Sequence, residues 1–446
     1  MNRSASEGYN ITIEDPNCLN SFQKLMCCWK TLAPYNAVQA VEISGMANRS
    51  FWQTAADHVL QALIDQKHLP RMPPLEPIEM WGNGAPPESI IVQQINRPFA
   101  DGECPVRLCL VQGVDGFHLI VVYDHWLADS WSIRELMRCI YCQACTNTFT
   151  TEFDLLAGPE RCPHWLPSAY HCLRQYLRHR RAARLNFADP LDFKTGMVMK
   201  VLDADVIVRV RDSARQRGVS VHDMFTTIIA QLMGARTQQN RYARRRLGHA
   251  PRDRVAIGSI VDIRKLAGQN RPTGSPGTAA TPSSTGHDRH FGVLLGFTTT
   301  ITQVPERTTM DDLLAVVHRQ HLQQKQRLSP LASLQALEVT RFFWNLYTDK
   351  RHLAIFFSKN LPLLAGISNV NLTEQWMCRA DAGQMDIRDY FRVSPVGPLL
   401  PLVWATTTFK NRLTVCLTYR QTALNGDQAN RLLDDFAIQL QQWTGG

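Results

Sequence analysis

Short apolar runs alternate with amphipathic stretches along most of the chain. Residues 38–45, VQAVEISG, read as a strand and turn, and RSFWQTAADHVLQALIDQ (49–66) places apolar residues at helical spacing. SIIVQQINRPF (89–99) and VRLCLVQGVDGFHLIVVYDH (106–125) are rich in β-branched residues and predict three strands, the last two joined by a turn at Gly116. Ser132 and Glu135 form a Ser-x-x-Glu capping box, so a helix is expected to start at Ser132. His125 to Ser130 thus falls between a strand end and a helix start, where catalytic groups often lie.

The second half runs in the same style. MVMKVL (197–202) reads as a strand, followed by two helices around a turn at Gly218. RVAIGSIVDIRKLAG (254–268) is strand-like as far as Arg264. Residues 268–290 are Gly-, Pro-, Ser- and Thr-rich with almost nothing to bury, and are expected to form a mobile loop. FGVLLGFTTTITQV (291–304) resumes as a strand, and TMDDLLAVVHRQHLQQKQ (309–326) is helical. LPLVWATTTFKNRLTVCLTYR (400–420) reads as a hairpin and NGDQANRLLDDFAIQLQQW (425–443) as a closing amphipathic helix. The expected architecture is α/β, with a lobe over residues 1–175, a linker over 176–195 and a second lobe over 196–446.

Composition narrows the class. The chain has 446 residues, of which 44% are hydrophobic and 20% charged, a balance typical of soluble globular proteins. Its amino terminus lacks the apolar core of a signal peptide, and no apolar run approaches the ~18 residues of a membrane span. A cytoplasmic location is therefore expected, with the twelve cysteines as reduced thiols rather than a disulfide framework. The net charge of +9 is partly concentrated in NRYARRRLGHAPRDR (240–254), which holds Arg244, Arg245 and Arg246. That cluster is either a solvated face or a site for a phosphate-bearing or acidic partner. No aromatic platform or zinc-finger spacing accompanies it, which speaks against nucleic acid.

Two patterns suggest chemistry. Cys139, Cys142 and Cys145 lie three residues apart, with Cys162 and His164 following. An iron–sulfur run needs a fourth cysteine soon after, and position 149 is phenylalanine, so a packed helix face is expected and no metal. The other pattern is His125-x-x-x-Asp129. With 14 histidines such a spacing arises by chance about once, and His249 with Asp253 supplies a second instance with no strand leading into it. The spacing alone fits a loop histidine as well as an acid–base group.

Context adds to the spacing. Asp124-His125-Trp126-Leu127-Ala128-Asp129-Ser130 resembles the His-His-x-x-x-Asp-Gly motif of the chloramphenicol acetyltransferase-like superfamily, which includes nonribosomal peptide synthetase condensation domains and stand-alone acyltransferases. NRPFADGECPVRLCLV (96–111), RQRGVSVHDMFTTIIAQLM (215–233), VDIRKLAG (261–268), FGVLLGF (291–297) and GISNVNL (366–372) are similar to further family segments, so the resemblance spans most of the chain. Asp124 stands for the first histidine and Ser130 for the glycine, which puts the loop geometry in question. The Asp-Phe-Gly-Trp-Gly motif of the plant acyltransferases is absent.

The resemblance implies two lobes with a tunnel between them and no bound cofactor. Its donor would be an acyl thioester on coenzyme A or an acidic carrier protein, and its acceptor an alcohol or amine. By the same resemblance His125 is the general base, and Asp129 with Arg264 forms a structural brace. Asp124 either orients His125, binds an amine acceptor, or is a solvated strand end. Ser368 and Asn369 either donate to the oxyanion or form a turn. A non-catalytic docking member of the fold, and epimerisation or dehydration of a carrier-bound intermediate, are the alternatives.

Overall fold

The computed structural model describes residues 19–151 except 83, then 154–155, 177, 179, 181–246, 252–264 and 290–326, isolated positions between 330 and 356, and 363–372 and 385–445. Side chains of residues 240–246 are outside this description, as is the expected loop at 268–290 apart from its last residue.

The first elements are α1 (Ser21–Trp29), β1 (Asn36–Ser44), α2 (Arg49–Asp65), β2 (Glu79–Trp81), α3 (Pro87–Asn96), β3 (Val106–Gln112), β4 (Gly116–Asp124), α4 (Ser130–Thr146) and β5 (Asp154–Leu155). They are followed by β6 (Thr195–Leu202), α5 (Ala204–Gln216), α6 (Val221–Arg246), β7 (Arg254–Asp262), β8 (His290–Phe291), β9 (Leu295–Gln303) and α7 (Met310–Gln326). The chain closes with β10 (Ala365–Asn371), β11 (Ile387–Val393), β12 (Leu402–Phe409), β13 (Arg412–Arg420) and α8 (Gly426–Trp443).

Two sheets carry the fold. One is five-stranded in the order β11-β1-β4-β3-β2, and the other six-stranded in the order β6-β13-β12-β10-β7-β9. Each first sheet face has its own cover. Val41, Leu119, Val121 and Tyr123 pack under α2 and α4. On the opposite face Val38, Ile120 and Phe391 meet Ile91 of α3 together with Met197, Ala405 and Cys416 of the second sheet. The two sheets therefore touch through side chains. The second sheet buries its other face under α5, α6 and α8 through residues such as Val210, Phe225 and Phe436.

Three expectations need correction. Residues 89–96 form α3 rather than a strand. Ile90, Ile91, Gln94 and Ile95 recur at helical spacing and are buried together, and Pro87 opens the first turn, where a missing N–H costs nothing. The expected second lobe, 196–446, does not keep all its strands, because β11 pairs antiparallel with β1 in the first sheet from Val38↔Val393 onward. Its burial pattern (only Arg388 of its seven residues is incompletely buried) suits a strand covered on both faces, which either sheet could have supplied. Third, Cys142 is disulfide-bonded rather than a reduced thiol. Its neighbour Cys139 is a free thiol on the buried side of α4.

Candidate active site

β4 delivers the histidine loop. The strand runs buried from Gly116 to Asp124 between β1 and β3, and ends at the edge where α1 and the 290–297 segment gather. His125 donates its backbone N–H to the Tyr35 carbonyl at 3.2 Å. Its ring stacks on Tyr35 at 5.9 Å between centroids and meets Tyr123 edge-on at 5.8 Å. Tyr35 itself lies so close to Gly397 that a Cβ there would come within 2.7 Å of the phenol ring, so a side chain at position 397 would displace the platform beneath His125.

Burial drives the His125 imidazole below the usual histidine pKa, while its own carbonyl, the Asp129 charge and the Ala128 carbonyl pull the other way. Nδ1 is enclosed and makes no full hydrogen bond. A neutral imidazole holds its proton on one ring nitrogen and a lone pair on the other. That is the state a general base requires at neutral pH.

Asp129 points away from the ring and into a dense set of donors. It is the N-cap of α4, with Oδ1 accepting from the Ser132 N–H at 3.0 Å. The helix starts at Ser130, two residues before the expected start at Ser132, because Asp129 is the N-cap and its carboxylate takes the Ser132 amide, which places Ser132 inside the first turn. Glu135, expected to complete a capping box, instead accepts from Arg138 at 2.9 Å. Asp129 Oδ2 accepts from the Leu294 N–H at 2.9 Å and pairs with Arg264 Nη2 at 2.8 Å. Asp129 is fully buried and Arg264 nearly so.

Further contacts lock this joint. Arg264 Nη2 donates to the Ser132 hydroxyl at 2.9 Å, and Nε to the His290 carbonyl at 3.1 Å. The guanidinium lies 4.4 Å over the Trp131 ring. Gly292, at φ +136° where glycine is favoured, accepts from the Asp129 N–H and donates its own N–H to Ser132 Oγ. The structure thus brings Asp129 and Arg264 together across the two lobes, with Ser132, Gly292 and Leu294 as partners the sequence did not single out. The Asp-x-x-Ser capping pattern at 129–132 was the available signal for the first of these.

Asp124 neither orients His125 nor lies in solvent. It is buried and ion-paired with Lys30, which caps the C-terminal end of α1. Burial raises its carboxyl pKa, and Lys30 opposes the rise. Gln23 of α1 adds a bond from its Nε2 to the Trp126 carbonyl at 3.0 Å, so α1 holds the loop from the side opposite Arg264.

Ser130 adopts no left-handed conformation; its φ is not among the positive values that favour glycine. Its carbonyl accepts from Gln39 Nε2 at 2.8 Å, and its hydroxyl lies 3.3 Å from Arg392 Nη1. Ser368 sits on β10, not in a turn, and accepts from the same Arg392 through its hydroxyl and its carbonyl, each at 3.1 Å. Asn369 accepts from the Thr406 hydroxyl at 2.8 Å. Arg244, Arg245 and Arg246 close α6, and their side chains are outside the described residues. His249 is also outside them, and Asp253 accepts from Gln303 on the surface, away from any such loop. No group of metal-binding side chains occurs among the described residues, and no described helix is long and apolar enough to cross a membrane.

Comparison with solved structures settles the architecture. Trichothecene 15-O-acetyltransferase TRI3 from Fusarium sporotrichioides aligns over 96% of this chain and 95% of its own, with TM-score 0.67 and 8% identity. The chain has the chloramphenicol acetyltransferase-like fold of condensation domains. The condensation domain of the Monacolin K polyketide synthase MokA covers 96% of this chain and 97% of its own at TM-score 0.60 and 9% identity. The starter condensation domain of rhizomide synthetase RzmA, solved with C8-CoA and Leu-SNAC, covers 96% and 94% at TM-score 0.61 and 12% identity. No protein-family model matches the sequence, and no curated protein does.

Proposed function

We propose that the protein is a stand-alone condensation-type acyltransferase, with His125 as its general base. The acyl group would leave a thioester of coenzyme A or a carrier protein for a hydroxyl or amine acceptor, in natural-product or lipid biosynthesis within the cytoplasm. The observation that carries the reading is the loop itself. His125 stands at the end of a buried strand with its Nδ1 side enclosed, on a loop pinned from one side by Arg264 and from the other by α1.

In this reading Nε2 takes the proton from the acceptor O–H or N–H as the acceptor oxygen or nitrogen attacks the thioester carbonyl. A tetrahedral oxyanion forms, and its collapse expels the thiolate, which takes the proton back from the imidazolium. Ser368 accepts from Arg392 and so keeps its own hydroxyl proton to donate, which suits it to the oxyanion. Asp129 and Arg264 act as positioning residues, because both face each other and not the ring's Nε2. Asp124 takes no part in the proton transfer, since its carboxylate belongs to Lys30. The likeness to a condensation domain solved with C8-CoA supports a thioester donor.

The test is intact-mass detection of acyl transfer. Wild type and His125→Ala are offered acyl-coenzyme A and acyl-carrier donors with pooled alcohols and amines. Wild-type product that falls ~10²–10⁴-fold in the variant is expected, the range for removing a positioned base. Equal turnover in both proteins moves the chemistry elsewhere. Donor binding with no turnover in either favours the docking-protein reading.

A further inference from the structure

Two guanidinium groups are buried at the seam where α4, β10 and β11 meet, and neither pairs with a carboxylate among the described residues. Arg392 is 3% exposed and Arg134 6%. Arg392 spends its donors on neutral oxygens: the Thr407 hydroxyl at 3.2 Å, the Thr406 carbonyl at 3.0 Å, and the Ser130 and Ser368 groups already described. Arg134 makes no hydrogen bond or ion pair with a described residue, and its nitrogens are not sealed from open space. Arg134 lies about one turn along α4 from Ser130, whose hydroxyl is 3.3 Å from Arg392 Nη1.

Described carboxylates on the adjoining elements are committed elsewhere. Glu135 pairs with Arg138, Asp129 with Arg264, and Asp389 faces Arg412. The first turn of α4 adds its positive helix end to the same place. Like charges buried together without counter-ions are costly to a fold, and proteins keep them where an anion completes the set. Arg also offers a planar fork that matches a carboxylate in two hydrogen bonds.

We propose that this seam is an anion subsite of the acyl-transfer site, in which Arg134 makes the direct contact and Arg392 supplies fixed positive charge. Its ligand is a carboxylate carried by one of the two substrates: the far end of a dicarboxylic acyl chain, or an acid group on the acceptor. The proposal rests on the reading of the protein as an acyltransferase. Ser130, which stands where the family motif has glycine, links the two parts, since its hydroxyl reaches Arg392 while its loop carries His125. Arg134 is the specificity-determining residue, and Arg392 is a positioning residue through its five bonds across the lobes.

Equilibrium binding to the full-length protein tests this without requiring turnover. Glutaryl-coenzyme A is compared with valeryl-coenzyme A, and β-alanine with propylamine, on wild type, Arg134→Gln and Arg134→Lys. The expected result is that the carboxylate member of one pair binds wild type at least ~30-fold tighter than its neutral match, the scale of a desolvated charge contact. Arg134→Gln should lose that preference and Arg134→Lys keep part of it, all three showing the same thermal unfolding. The pair that discriminates tells whether the carboxylate comes with donor or acceptor. No preference in either pair, no measurable binding of any of the four, or a preference that survives in Arg134→Gln overturns the proposal. So does competition by inorganic phosphate alone, which marks a general anion site. A carboxylate preference without any acyl transfer keeps this subsite and defeats the proposed reaction instead.

Discussion

Asp124 and Asp129 flank the same histidine and are buried to nearly the same degree, yet they do opposite things. Asp129 has two backbone amides, a hydroxyl and a guanidinium around its oxygens, drawn from α4, the 292–294 segment and the chain just past β7. Asp124 has Lys30, on a flexible stem from the end of α1. A buried carboxylate is stable only as far as its lone pairs are met. The first residue is a joint between lobes, while the second is a charge whose burial still raises its pKa.

The largest break in this comparison should come from Asp129→Ala. It strands Arg264 in the interior and uncaps α4, so a loss of about 3–5 kcal/mol is expected in urea unfolding. A variant that unfolds with wild type would mean the cross-lobe pair contributes nothing, and the two aspartates would not differ as described. Lys30→Met should cost less, about 1–3 kcal/mol at pH 7, and its cost should depend on pH.

The sign follows from the direction of the shift. A carboxyl whose folded pKa is raised binds more protons folded than unfolded, so its contribution to stability falls as pH rises from the ordinary Asp value, about 3.9, through the raised one. Without Lys30 the rise is larger. Lys30→Met should therefore recover toward wild type as pH falls through that window. A cost that stays the same across the window would mean that Lys30 does not oppose the rise at Asp124.

Smaller effects test the loop. His125 is pushed below the usual histidine range, and a base works only when unprotonated, so the acidic limb of kcat/KM should lie below pH ~6.5. A limb at or above that value would place the working base elsewhere. The smallest change should be Ser130→Gly, within ~1 kcal/mol in thermal unfolding, because serine is not strained there and glycine only loosens a helix start. A clear gain in stability would show that serine is strained after all.

Much of this was legible in the chain. The β4 strand, the β12–β13 hairpin and the helices α2, α6 and α8 followed from periodicity, since each buries one face in a regular way. The α3 helix was not, because Ile90, Ile91, Val92 and Ile95 are residues that strands also favour. The spacing of His125 and Asp129 marked the loop, and the family resemblance paired Asp129 with Arg264, 135 residues away. Lys30, Gln23 and Tyr35 gave no such mark. Nothing local in LNSFQKLMCCWK says that this helix will lie against the histidine loop.

By itself, then, the sequence determined the strands and helices whose apolar spacing is unambiguous, and that an imidazole would stand at a strand's end, because those are matters of local spacing and turn chemistry. Tertiary structure alone decided that β11 would join the first sheet, that Asp124 would belong to Lys30, and that Arg134 and Arg392 would be buried without a counter-ion among the described residues. Such pairings depend on which surfaces pack, and burial changes what a charge costs without changing a letter of the chain.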